Sequence, residues 1–251
     1  MSGHSKWSTI KRKKAANDAR RGNIFTRLAR EISIAAREGG GDPESNFGLR
    51  LAVDRARENN MPKENIERAI RRGTGDDKEG SSLEHVMYEG YGPHGVALLM
   101  EVVTDNRKRS VADIRHALSH SGGNMAEAGS VAWNFRQAAY FAFPVAGLDT
   151  DRVFEAAVEA GADDVIIGED DIEIIGPVEA FKAVSDQLQA LGIQPDEARL
   201  RMLPNTTLEL PGEQALQVMR LVEHLEELDD VQEVYTNLEV TDEAVEMLET
   251  A

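Results

Sequence analysis

No cysteine occurs anywhere in the 251 residues. Its absence excludes disulfides, thiolate metal sites and a cysteine nucleophile, and it fits a reducing compartment. No apolar run approaches the roughly 18 residues needed to cross a bilayer. The opening segment is charged from Lys6 onward and holds no hydrophobic export core. A cytoplasmic protein without a membrane segment is expected, so the glycosylation-like Asn205-Thr206-Thr207 carries no meaning. Aromatic residues are scarce at 5%, although a hydrophobic content of 41% is ample for buried cores. The length suits one large domain or two to three small ones.

The usual signatures of catalysis are missing as well. There is no Gly-x-x-x-x-Gly-Lys-Ser/Thr segment to cradle phosphate, no Gly-x-Gly-x-x-Gly for a dinucleotide and no Gly-x-Ser-x-Gly elbow. His116 and His120 have the i, i+4 spacing of metal ligands, but no thiolate or His-Glu-x-x-His glutamate completes a set. Glu169-Asp170-Asp171 falls where a hairpin turn is expected and reads as solvated. No enzymatic activity, cofactor or metal is expected.

Positive charge is short over the whole chain, which carries a net −17, yet it is concentrated. Residues 1–78 hold 18 Lys and Arg against 11 Asp and Glu, a net +7; residues 79–251 hold 10 against 34, a net −24. Such asymmetry describes a head that binds a polyanion, carried on an acidic body that nucleic acid repels.

The head reads as a helical bundle. A first helix is expected from Ser8 to Arg21, interrupted by Gly22-Asn23, with Asn23 capping a second. On the second, Phe25, Leu28, Ala29, Ile32, Ala35 and Ala36 share one face, and Arg27, Arg30 and Arg37 lie opposite. A third helix, opening at Asp42-Pro43, carries the stripe Leu49, Ala52, Val53, Ala56. A fourth opens near Pro62, buries Ile66, Ala69 and Ile70, and ends at Arg71-Arg72-Gly73. The first stretch is unlike the others. Lys11-Arg12-Lys13-Lys14 point all round a helix, and four adjacent cations gain most from a polyanion that neutralises them. With Lys6, Arg20, Arg21, Arg27 and Arg30 they form a dense basic patch. Trp7 suits either stacking on an exposed base or a hydrophobic staple.

The body alternates strands and helices. Strands are expected at 96–103, 130–135, 138–143, 164–167, 171–175, 197–203, 206–210 and 231–236. Helices are expected at 110–119, 151–160, 178–191 and 213–228. Residues 138–203 spell strand-helix-strand-strand-helix-strand, and the flanking pieces spell the same order. The expected fold is therefore an all-α N-terminal bundle followed by α+β, with two ferredoxin-like units, one inserted into the other. The expected domains are 1–78, then 79–136 joined to 206–251, with 137–205 inserted. Two segments of the body stand out. Tyr88-Glu-Gly-Tyr-Gly-Pro-His-Gly95 reads as an unusual loop that either presents Tyr88 and Tyr91 to a ligand or packs them on the domain. Arg107-Lys108-Arg109 is the one basic cluster of the body, either a second phosphate contact or a solvated loop.

Gly3-His-Ser-Lys-Trp7, Phe25-Thr-Arg-Leu28 and Arg30-Glu-Ile32 resemble the opening of the YebC family. So do Tyr88 to Pro93, Asp105-Asn-Arg107, Val111-Ala-Asp-Ile-Arg-His116, Gly129-Ser-Val-Ala-Trp133 and Asp229-Asp-Val-Gln-Glu-Val-Tyr235, which together cover essentially the whole chain. His94 departs from the pattern, which leads one to expect glycine there. The resemblance implies an all-helical domain followed by two α+β domains, in a cytoplasmic or mitochondrial protein without known catalysis. It also implies either a DNA-binding transcriptional regulator or a translation factor acting on the ribosome. The residues and the resemblance together predict a non-enzymatic regulator that contacts DNA or ribosomal RNA, possible association with the ribosome, and no membrane contact. A protein-binding scaffold that touches no nucleic acid is the alternative.

Overall fold

The computed structural model describes residues 21–75 and 83–241, together with Ala244 and Met247. The helix expected at 8–21 lies outside them except for its last residue. The described head is three helices, α1 (Arg21–Gly39), α2 (Phe47–Glu58) and α3 (Lys63–Thr74). Their apolar stripes converge as the 3.6-residue period requires. Leu28, Ile32 and Ala36 of α1 meet Leu49, Val53 and Ala56 of α2 and Ile66 and Ala69 of α3 in one core.

Two helix starts differ from expectation. Gly22-Asn23 lies inside α1 and does not interrupt it; a helical glycine costs only about 1 kcal/mol, which the buried stripe below it offsets. Asp42-Pro43 forms a turn, in which the Glu44 amide donates to the Asp42 carboxylate (3.0 Å) and the Asn46 amide to the Asp42 carbonyl (2.9 Å). Helix α2 starts after Asn46, whose Oδ1 accepts from the Leu49 amide (3.0 Å). The Asn46 amide group donates to the Ala35 and Gly40 carbonyls (2.7 and 2.8 Å), tying the end of α1 to the start of α2. Helices α1 and α3 touch at Gly73, where a Cβ would stand 2.3 Å from the Ser33 carbonyl oxygen.

One compact unit joins this head to residues 83–131 and 217–234; the other comprises 132–216 and 235–241. In the first unit, β1 (Glu84–Tyr91) and β2 (Ala97–Thr104) pair antiparallel along their whole length. With β3 (Asn124–Met125) and β9 (Val231–Thr236) they form a sheet of order β3-β1-β2-β9. Helix α4 (Arg107–His120) turns Ile114, Ala117 and Leu118 inward. The first half of the expected loop at 88–95, Tyr88 to Tyr91, is thus strand. Gly90 and the buried Glu89 break the alternation that marks a strand in sequence, yet both are there for packing. A Cβ on Gly90 would stand 3.0 Å from the Asn124 carbonyl. Only the segment after Tyr91 turns, and His94 takes a left-handed conformation (φ 62°) where glycine is the usual solution. Its Nε2 lies 2.8 Å from Gln217 Oε1.

In the second unit β4 (Phe135–Pro144) is one strand where two were expected, after a 3-10 turn at Ala132–Asn134. Arg136 and Gln137, which fall between the two expected strands, are exposed residues of this single strand. It is followed by α5 (Thr150–Glu159), β5 (Asp164–Ile167), β6 (Asp171–Gly176), α6 (Phe181–Ala190) and β7 (Glu197–Pro204). The sheet order is β5-β6-β4-β7, antiparallel throughout. One face packs on the helices, with Phe141 and Phe181 rings 4.7 Å apart. The other carries Tyr140, Glu173 and Arg201, all buried. The remaining expected strand, 206–210, shrinks to β8 (Leu208–Glu209), which pairs in parallel with β10 (Leu238–Glu239). The flanking elements therefore do not repeat the inserted order: the first unit's sheet takes β1 and β3, neither of them expected. Between β8 and β9 runs α7 (Gly212–Glu226).

Candidate nucleic-acid interface

Of the cations expected to bind nucleic acid, Lys6, Lys11, Arg12, Lys13, Lys14 and Arg20 lie outside the described residues, as does Trp7. Arg21 is placed as the first residue of α1. Arg27 is half-buried on the same helix. Arg30 has an internal partner: its guanidinium donates to the Asp229 carbonyl and lies 3.2 Å from the Asp230 carboxylate. One turn on, Ile34 packs with Leu83 and Val103, and Arg37 donates to the Leu83 carbonyl. The face of α1 opposite the bundle core thus docks on the α+β part of the same unit.

Asp230 is the hub of that docking. Its Oδ2 accepts from Arg109 (2.8 Å), from the Ser110 hydroxyl (2.8 Å) and from the Thr104 hydroxyl (3.0 Å). Burial alone would raise its pKa, but these hydrogen bonds and the nearby Arg30 charge outweigh burial and hold the carboxyl below the usual aspartate value. The expected second phosphate contact is correspondingly engaged. Arg109 also bonds Asp105 (2.9 Å), Arg107 pairs with Glu84, and Lys108 is exposed. The cleft of about 580 Å³ beside Arg109 is lined by Asp105, Asp113, Glu227, Asp229 and Asp230, which disfavours phosphate.

Within the Tyr88–Tyr91 motif, Tyr88 is half-buried, and Glu89 and Tyr91 have partners inside the fold. The buried Glu89 carboxylate accepts from the Gly129 and Val131 amides, each at 2.6 Å, and the Tyr91 hydroxyl donates to the Ser130 carbonyl (3.2 Å). Two motifs about 40 residues apart, Tyr88 to Pro93 and Gly129 to Trp133, are therefore locked together. Trp133 itself is 72% exposed. His116 and His120 stack with ring centroids 6.3 Å apart. Among the described residues, no three His, Asp or Glu side chains gather as a metal-binding group.

A second cleft, of about 370 Å³, opens on the head itself. Phe25 and Met61 give it an apolar floor, and Asn65, Arg68 and Arg72 line one wall from α3. Their i, i+3, i+7 spacing sets them on one helix face. Arg68 and Arg72 are exposed, and Arg68 donates to Asn65 Oδ1 (3.1 Å). These residues were not singled out in the sequence. The Asn-x-x-Arg-x-x-x-Arg spacing beside the buried Ile66 and Ala69 was the available signal.

The chain belongs to the TACO1/YebC family. Residues 5–76 match the TACO1/YebC protein N-terminal domain, and residues 83–238 match the TACO1/YebC second and third domain. A protein of Acidithiobacillus ferrooxidans is 53% identical over 99% of both chains. One from Geotalea uraniireducens is 48% identical over 99% of this chain and 100% of its own. Both are described as probable transcriptional regulatory proteins. The crystal structure of a conserved hypothetical protein from Aquifex aeolicus matches with a TM-score of 0.81 and 41% identity, over 90% of this chain and 93% of that one. Among the described residues no helix is long and apolar enough to cross a membrane.

Proposed function

We propose that this chain is a non-enzymatic, cytoplasmic regulator of gene expression that binds nucleic acid through its basic head. The observation that carries the reading is the charge split, +7 over residues 1–78 against −24 over the remainder: only one end of the molecule attracts phosphate. The description of the relatives as probable transcriptional regulators supports a duplex DNA target. The run Lys11 to Lys14 beside Trp7 favours ribosomal RNA, where phosphates crowd and bases are unstacked. In the same reading 137–205 is an inserted ferredoxin-like domain, supported by its antiparallel β5-β6-β4-β7 order.

A competition at physiological salt between ribosomes and fragmented genomic duplex decides the target. With RNA as the target, the protein partitions to ribosomes, and Trp7→Ala weakens binding by about 1–3 kcal/mol. Enrichment of particular duplex fragments by about a thousandfold or more, unaffected by Trp7→Ala, would make it a promoter reader. Binding to neither, at any salt, would leave a protein scaffold.

A further inference from the structure

We infer that the cleft between α1 and α3 is a pocket for one unstacked nucleotide, so that the head distinguishes single strands from duplex. The inference rests on the nucleic-acid reading above and adds a site to it. Four features of the cleft point the same way. Its volume, about 370 Å³, lies at the small end of ligand pockets and suits one flat ring system with its phosphate. Phe25, half-buried at the floor beside Met61, offers an aromatic and a thioether surface to a base. Arg68 and Arg72, exposed on the rim, supply planar donor forks that match a phosphate. Asn65 also lines the cleft; its Oδ1 accepts from Arg68 (3.1 Å), which leaves its amide N–H donors for a base edge.

The back wall is rigid. Arg30 also lines the cleft, and its guanidinium is held by Asp229 and Asp230. Beneath it the Ser33 hydroxyl is committed to the Ala29 and Ala69 carbonyls, both at 2.8 Å. A preformed wall lowers the ordering cost of binding. A base inside a duplex is stacked and paired and cannot reach the floor unless it is flipped out; an unpaired nucleotide of RNA or of single-stranded DNA enters directly. The shared chemistry is thus an exposed base with its phosphate. Asp105 also lines this cleft, at the side shared with the neighbouring acidic one, so an anion is favoured only on the α3 side, beside Arg68 and Arg72.

The test measures binding of the full chain to three labelled probes by fluorescence anisotropy: a 12-nucleotide RNA, the DNA strand of the same sequence, and the corresponding duplex. Arg68→Ala with Arg72→Ala lies on the exposed rim, and circular dichroism confirms that the helices persist. The double variant should lose about tenfold or more on the single strands and twofold or less on the duplex. Asn65→Ala should alter the preference among homopolymer strands without changing the salt slope. A 4-thiouridine placed in the RNA should crosslink to peptides containing Phe25 or Met61. The ratio of RNA to DNA-strand affinity identifies which single strand is preferred. Equal losses on all probes would reduce the arginines to general phosphate contacts and overturn the pocket. Unchanged single-strand binding, with crosslinks only elsewhere, would overturn it too, leaving the nucleic-acid reading in place. Failure of the wild type to bind any probe would end both.

Discussion

Asp230→Ala should destabilise the first unit by about 3 kcal/mol, measured by chemical denaturation at neutral pH. The carboxylate is 8% exposed and faces Arg30 and Arg109. Thr104, at 0% exposure, loses its acceptor with it, whereas the Ser110 hydroxyl keeps the Asn106 carbonyl (3.1 Å). A buried donor left without a partner costs about 1–3 kcal/mol, and the mostly buried Arg30 loses its counter-ion as well, while the exposed Arg109 keeps Asp105. Because its folded pKa lies below the ordinary aspartate value near 4, Asp230 stabilises the fold fully above that value. The contribution is lost as pH falls through the depressed folded pKa. Asp230→Asn should therefore show a shallower acid limb than the wild type. A variant as stable as the wild type at pH 7, with the same acid limb, would mean that Asp230 does not hold the head to the body.

Glu173 should give the opposite pH dependence in the second unit. Its carboxyl is 1% exposed in the middle of the β5-β6-β4-β7 sheet. Burial pushes its pKa up to about 7, while the Tyr140 hydroxyl and the Arg201 charge pull it back. Burial, with the neighbouring Glu173 charge, likewise raises the Tyr140 hydroxyl. The Arg201 guanidinium lies 5.1 Å from the centre of the Tyr140 ring. A folded pKa above the unfolded one means that the folded state holds the extra proton. The stabilising contribution is fully present below about pH 4.5 and is lost as pH rises through about 7. At about 1.4 kcal/mol per pKa unit, the second unit should lose up to about 3 kcal/mol between pH 5 and 8. Denaturation series at several pH values on wild type and Glu173→Gln make the comparison. The wild-type curve should slope downward with pH and the variant should be flat; parallel curves would mean that Glu173 is ionised throughout.

Helix periodicity carried most of what was legible in the head. Leu49, Ala52, Val53 and Ala56 are all buried as their spacing requires, because an apolar stripe has nowhere else to go in a bundle. The β5–β6 hairpin was legible from Gly168-Glu-Asp170 between two apolar runs. Strand β1 was hidden because Glu89 and Gly90 answer to partners distant in sequence, the Gly129 loop and the Asn124 carbonyl. The internal partners of Arg30 were hidden for the same physical reason. A cationic face on a helix reads as free, yet the carbonyl that accepts from Arg30 lies 199 residues away, and nothing local announces it. Ile34, one turn from Arg30 on the face opposite the bundle core, was the available warning that this face is covered. In the head cleft, Asn65, Arg68 and Arg72 carry no distinguishing mark in the sequence, because single arginines on a helix ordinarily serve as solvated surface.

If Lys11, Arg12, Lys13 and Lys14 neutralise phosphate, binding must weaken with salt in proportion to the contacts they make. Affinity for single-stranded RNA and for duplex DNA is measured against salt for the full chain and for a variant in which Lys11, Arg12, Lys13 and Lys14 are all alanine. Each lost contact should reduce the log–log slope by about 0.7 on single strands and about 0.9 on duplex. A reduction of about 2.8 on single strands and about 3.6 on duplex is expected across the four residues, on every sequence offered. A flat salt profile for the wild type, or an unchanged slope in the variant, would contradict it.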